Sequence, residues 1–111
     1  MVAVGIDLVH VPKIEKLLRS EEAARKVFHP SELKDNMPEH LAGVFAAKEA
    51  YFKALKQKPD WLSVEVITKE SGEPEIKAAA KNVAKPILSI SHDGEYAVAV
   101  VVIDQTPKWK R

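Results

Sequence analysis

Leu41-Ala42-Gly43-Val44-Phe45-Ala46-Ala47-Lys48-Glu49-Ala50-Tyr51-Phe52-Lys53-Ala54-Leu55 carries the strongest periodicity in the chain. Leu41, Val44, Phe45, Phe52 and Leu55 recur every three to four residues, which marks one apolar helical stripe. Pro38 marks a break just upstream. The spacing predicts a helix from about His40 to Lys56, and its length makes it the central helix of the domain.

The segments around this helix change period. Val2, Val4, Ile6 and Leu8 alternate with Ala3, Gly5 and Asp7, which reads as a strand whose second face carries small residues and one acid. Pro12 suits a first helical turn, and Ile14, Leu17 and Leu18 follow at helical spacing. Ser20 caps a second short helix, with Glu21 and Glu22 in its first turn and Arg25 and Lys26 in its last. Phe28 to Leu33 reads as a turn that starts another helical segment. After Pro59, Leu62, Val64 and Val66 alternate with Ser63 and Glu65 as a strand. Ser71-Gly72-Glu73-Pro74 is a turn, and Glu75-Ile76-Lys77 a return strand. Ala78 to Lys85 fits either a short helix or a loop. Pro86 to Ser91 is a strand, Asp93-Gly94 supplies hairpin chemistry, and Tyr96 to Ile103 is a strand apolar on both faces. Helices early, strands late and hairpin-length connections indicate an α+β fold, with an antiparallel sheet packed on the long central helix. A strand apolar on both faces needs cover on both sides, and in so small a domain a subunit interface is one way to supply it.

Composition bounds the function. The 111 residues form one domain, 1–111, of which 46% are hydrophobic and 30% charged. A chain of this size buries roughly two thirds of its unfolded surface. With no cysteine there is no disulfide, thiolate metal site or cysteine nucleophile. Seventeen basic and 16 acidic residues leave a formal charge of +1, so no global field drives the chain onto nucleic acid or an anionic membrane. No apolar run has the length of a signal peptide or spanning helix, and the expectation is a cytoplasmic protein.

Few residues invite chemistry. Asp7 sits in an apolar strand, where a carboxylate carries a desolvation cost unless paired, metal-bound or at a wet strand end. Glu49 falls at the edge of the helical stripe, within reach of a neighbouring strand. Lys53 lies one turn further, either as a helix-supporting partner of Glu49 or as part of a site. Lys48 projects from the middle of the stripe and either snorkels or aims at a ligand. Two carboxylates beside a lysine suit Mg²⁺, which takes one or two protein oxygens and completes its shell with water and phosphate. His92, at a strand end before a turn, is either solvated or a donor to a ligand. His10, His29 and His40 share no zinc-like spacing and read as surface residues.

Gly5-Ile6-Asp7-Leu8-Val9, the Phe45-Ala46-Ala47-Lys48-Glu49-Ala50 core with its trailing Lys53, and Leu88-Ser89-Ile90-Ser91-His92 occur in that order. With them the sequence resembles the holo-[acyl carrier protein] synthases, the small 4′-phosphopantetheinyl transferases. Phe28-His29-Pro30-Ser31-Glu32 and Gly72-Glu73-Pro74 resemble two further segments of that family. The resemblance implies a 4′-phosphopantetheinyl transferase-like fold and a reaction serving fatty-acid and lipid metabolism. In it the phosphopantetheine arm of coenzyme A moves to a serine of apo acyl carrier protein, with release of adenosine 3′,5′-bisphosphate. It further implies Asp7 and Glu49 as Mg²⁺ ligands and, with Lys53, as the catalytic set. Lys53 and His92 would hold the coenzyme, and Lys48 would be a phosphate contact or a site-shaping residue. The implied assembly is a homotrimer with coenzyme A between subunits. An acidic carrier would meet Lys13, Lys16, Arg19, Arg25 and Lys26. The base for the carrier serine is open between a metal-bound water and a carboxylate such as Glu65. Two departures stand out: Val44 replaces an arginine, and Lys56-Gln57-Lys58-Pro59 replaces Gly-Thr-Gly. Alternatives are a Mg²⁺-dependent phosphohydrolase and a degenerate module that binds coenzyme A or a partner.

Overall fold

The computed structural model describes residues 1–78 and 85–106. In chain order it places β1 (Val2–His10), α1 (Val11–Leu18), α2 (Glu21–Arg25), α3 (Pro38–Leu55), β2 (Val64–Thr68), β3 (Pro74–Ala78), β4 (Ile87–Asp93) and β5 (Tyr96–Asp104). Short 3₁₀ turns occupy Glu32–Lys34 and Trp61–Ser63. The predicted strand at Leu62 therefore starts later, at Val64, and Leu62 stays exposed. Most of the ambiguous stretch from Ala78 to Lys85 lies outside the described residues.

Local chemistry sets the element ends. Pro12 and Pro38 sit in the first turns of α1 and α3, where a missing N–H costs nothing. The Ser20 hydroxyl accepts from Ala23 N–H and caps α2. Between β4 and β5, Asp93 pairs with Tyr96, so the two-residue loop is Gly94-Glu95 rather than Asp93-Gly94. Gly94 takes φ +58° there, a conformation that glycine adopts without a Cβ clash.

Among the described residues all strand pairs are antiparallel, in two sheets: β1-β5-β4 and β2-β3. The helix α3 runs across the larger sheet and packs chiefly on β1 and β5. It is buried almost all round, from Leu41 to Lys48 and again at Ala50–Phe52 and Ala54. The single stripe read from the sequence understates this. Small residues surround the helix, and Gly5 allows the closest approach: a Cβ there would lie 1.9 Å from the Ala50 carbonyl oxygen. That contact seats the middle of β1 on the second half of α3 and brings Asp7 toward the Glu49–Lys53 turn.

The sheet has two unlike faces. Ala97, Ala99, Val101 and Ile103 of β5 face inward with Val9 of β1 and are buried. Val2, Val4, Ile6 and Leu8 face outward, each 58–64% exposed, with Ile87 beside them across Val102. Among the described residues nothing lies over this outer apolar face. Among the described residues no helix is long and apolar enough to cross a membrane.

Candidate active site

Glu49 and Lys53 are one helical turn apart on α3 and share a face. β1 lies along that face and delivers Asp7 to it. Lys53 Nζ donates to Asp7 Oδ1 at 2.9 Å and to the Ile6 carbonyl at 3.1 Å. The Asp7 side chain is only 11% exposed, whereas that of Lys53 is 54% exposed. Glu49 is half-buried beside this pair. Burial holds its carboxyl above the usual carboxylate range, and the charge of Asp7 adds to that effect, while Lys13 and Lys53 oppose it. Two carboxylates that meet in a partly desolvated site, with an incomplete counter-charge, form a donor set suited to a hard divalent cation. Among the described residues no third His, Asp or Glu joins them in a metal-binding group, and Mg²⁺ asks for no more than two. The residues present fit that ion.

Lys48 is not at this site. Its side chain is fully buried on the other side of α3. Its ammonium donates to Glu32 Oε1 at 2.8 Å, to the Val27 carbonyl at 2.7 Å and to the Trp61 carbonyl at 3.1 Å. All three N–H donors are used within the chain, so none is left to contact a phosphate. Glu32 is equally buried. It accepts from His29 N–H at 2.6 Å through Oε1 and from Val66 N–H at 2.7 Å through Oε2. The pair ties the α2–α3 connection, the turn before β2 and β2 itself to α3. Of the two expectations for Lys48, its contacts correct the phosphate contact and leave the shaping role. Desolvation pulls the lysine below its ordinary range, and Glu32 offsets part of this.

The other expected residues lie elsewhere. His92 is exposed and lines a cavity of about 460 Å³ between the first half of α3, the β2–β3 hairpin and β4. Val44, His40 and Gly43 line the same cavity, and Asp7, Glu49 and Lys53 do not. Within one chain, therefore, His92 and the carboxylate site are separate. His29 is not a surface residue: it is half-buried, and its Nε2 lies 3.1 Å from the Val64 carbonyl oxygen. His40 is half-buried as well, with Nδ1 3.8 Å from Asp35 Oδ2. His10 is exposed, as expected. Glu65 accepts from the Ser31 hydroxyl.

On the basic helices, Arg25 and Lys26 are paired with Glu21 and Glu22 of the preceding turn. Lys13 stands 5.0 Å over the Phe45 ring. Two features escaped the sequence reading: the Glu32–Lys48 lock, signalled only by an acid in a turn and a lysine in an apolar stripe, and the position of Lys13 beside the site. After α3, Lys56 takes the left-handed conformation, φ 56°, that a glycine commonly fills at a helix end.

The family model described as the 4′-phosphopantetheinyl transferase superfamily matches residues 3–101. The chain belongs to this superfamily, among the holo-[acyl-carrier-protein] synthases. The synthase of Thermodesulfovibrio yellowstonii is 39% identical over 109 residues, covering 90% of this chain and 96% of that protein. That of Geobacter sulfurreducens is 33% identical over 120 residues, with 91% and 95% covered. The crystal structure of the Bacillus anthracis synthase in complex with CoA (3′,5′-ADP) superposes with a TM-score of 0.82 at 31% identity, over 94% of this chain and 96% of that one. This synthase-family chain thus has the α+β architecture expected of it, and it is a phosphopantetheinyl transferase.

Proposed function

We propose that this synthase moves the 4′-phosphopantetheine arm of coenzyme A to a serine hydroxyl of an apo acyl carrier protein, with Mg²⁺ held by Asp7 and Glu49. The observation that carries the reading is the meeting of Asp7, Glu49 and Lys53 at one mouth between β1 and α3. The serine oxygen bonds to the β-phosphorus as the bond to the bridging oxygen breaks. The hydroxyl proton passes to a base, and adenosine 3′,5′-bisphosphate leaves. Magnesium, when bound, neutralises charge on the phosphoryl oxygens. Lys53, oriented by Asp7 and the Ile6 carbonyl, presents an ammonium to the same oxygens. Catalysis of this kind is mostly positioning and electrostatics.

The outer sheet face supports a homotrimer. Exposed Val2, Val4, Ile6 and Leu8 need cover, and a second copy supplies it. An assembly of this kind lets the His92 cavity of one copy adjoin the Asp7–Glu49 mouth of the next, so that coenzyme A spans residues that one chain keeps apart. Ile6→Asp should lower the mass measured by light scattering from trimer to monomer; a wild-type chain that is monomeric at micromolar concentration removes the assembly. Lys13, Lys16 and Arg19 give the acidic carrier a positive face, which chiefly speeds encounter; Arg25 and Lys26 flank it, each balanced by a glutamate of α2.

The test is direct. With Mg²⁺, coenzyme A and apo carrier, the purified protein adds the phosphopantetheine mass to the carrier. Glu49→Gln lowers the rate by about 10²-fold or more with an unchanged circular dichroism spectrum. Undiminished turnover by that variant defeats the metal assignment.

A further inference from the structure

His40 stands in the first turn of α3 and lines the same cavity of about 460 Å³ as His92 of β4. A volume of this order takes a ligand the size of a phosphorylated nucleoside. Val44, Val66, Pro74 and Ile90 give the cavity apolar walls, and Asp35 and Glu39 give it acidic ones. Among the described residues no lysine or arginine lines it, so the two imidazoles are its only basic side chains.

The transfer decides which end of the donor belongs there. The pantetheine arm departs with the carrier, so it needs an open side of the enzyme. The nucleotide stays behind until release and can sit in a hollow. Its 3′-phosphate then meets walls whose fixed charges are both carboxylates. With neutral imidazoles these walls repel a phosphate; with both imidazoles protonated the charges of the walls cancel. Histidine is the side chain whose ordinary ionisation falls between pH 5 and 8. We propose that His40, with His92, recognises the 3′-phosphate of coenzyme A as an imidazolium, so that preference for donors bearing this phosphate rises in acid and fades in alkali. This rests on the reading that coenzyme A spans the carboxylate site and the His92 cavity.

The neighbours of His40 suit this role. Its Nδ1 lies 3.8 Å from Asp35 Oδ2. That carboxylate is itself held, because Asp35 Oδ1 accepts from Met37 N–H at 3.2 Å. An aspartate beside one ring nitrogen leaves the other available to a ligand. A second hollow of about 450 Å³ shares His40 and Asp35 and adds Glu32 and Lys34 of the α2–α3 connection. Glu32 is committed to Lys48, and Lys34 is exposed and does not line the His92 cavity. The other titratable groups are Glu39 of α3 and His92 of β4; β2 and β3 bring none to either hollow.

The experiment compares two donors at two acidities. Coenzyme A and 3′-dephospho-coenzyme A are each titrated calorimetrically into the protein with Mg²⁺, near pH 6 and near pH 8. Both donors carry the diphosphate, so the ratio of their affinities cancels what pH does at Asp7 and Glu49. That ratio should favour coenzyme A roughly tenfold more at the lower pH, the worth of one charged hydrogen bond. His40→Gln should flatten the difference. His40→Lys, a cation at both acidities, should hold the preference at the higher pH. A wild-type ratio that is the same at both acidities overturns the proposal without recourse to any variant. The phosphate's own second ionisation lies at about 6. A ratio that moves with pH as much in His40→Gln as in wild type therefore belongs to the phosphate, and also overturns it. Wild-type protein that binds neither donor overturns the donor reading itself, and the proposal with it. Circular dichroism of both variants verifies the fold.

Discussion

Lys48 and Lys53 stand five residues apart on the same helix, each with a carboxylate partner, yet they belong to different kinds of chemistry. Lys48 is wholly buried and meets Glu32 and two carbonyls. Lys53 is half-exposed and meets Asp7 and one carbonyl. Five residues on a helix turn a side chain by about 140°. That rotation sends one ammonium into the protein and the other toward solvent beside β1. Motif membership makes the two lysines look alike; solvent access separates them. A buried pair with every donor and acceptor satisfied is a fixed element of structure. An exposed ammonium that keeps free valence can exchange a carboxylate for a phosphate.

The largest expected effect breaks the buried pair. Lys48→Met leaves Glu32 charged, buried and short of its partner, and should cost about 3–5 kcal/mol of stability in urea unfolding. Adding Glu32→Gln should recover part of that loss, because the orphaned charge is gone. If Lys48→Met instead unfolds at the wild-type midpoint, the lock carries no weight.

Next is the mouth. Lys53→Met should cost about 1–2 kcal/mol, less than the buried pair, since Lys53 is half in water although the Asp7 it leaves behind is largely shielded. Transfer to the carrier should fall about 10²-fold. Mass spectrometry of the carrier and a denaturation curve on one sample supply both values. A variant that loses stability and keeps activity would make the two lysines equivalent and dissolve the contrast.

The smallest effect lies in the pH dependence. Burial and Asp7 raise the Glu49 carboxyl above its unfolded value of 4.5. A carboxyl so raised contributes stability that is fully present below the unfolded value and is lost as pH rises through the folded value. Glu49→Gln removes that dependence. The variant should match wild type near pH 3.5, then become the more stable of the two as the pH passes upward from 4.5. Mg²⁺ at neutral pH should raise the wild-type melting temperature and leave that of the variant nearly unmoved. The opposite slope, with the variant gaining as the pH falls, would mean that the carboxylate is stabilised in the fold.

The central helix, the hairpin glycine, the α2 cap and the antiparallel class were legible because each rests on local chemistry: apolar spacing, backbone freedom, a hydroxyl before a helix. Asp7 and Glu49 stood out only as carboxylates in apolar settings, each equally readable as a solvated or helix-supporting group, and the family resemblance is what joined them with Lys53. A carboxylate in a small-residue strand and another at the edge of an apolar stripe both ask for a partner. What misled was the reading of one stripe on α3. Periodicity reports one covered side, and this helix is covered by a sheet, β2, α1 and the 3₁₀ turn at Glu32–Lys34 together. Lys48 therefore reads as either snorkelling or aimed at a ligand, when it fills a polar socket built by segments distant in sequence.

The sequence alone determined which stretches become helix or strand and which residue types are costly where they stand, because those follow from neighbours within a few positions. It did not determine where each charge points. That was decided when Gly5 let β1 lie against the Ala50 carbonyl and when Glu32, from a turn, reached under α3. Desolvation acts on a group through everything packed around it, from any part of the chain. Only the assembled fold sorts the lysine sealed in an internal socket from the one that faces solvent beside Asp7.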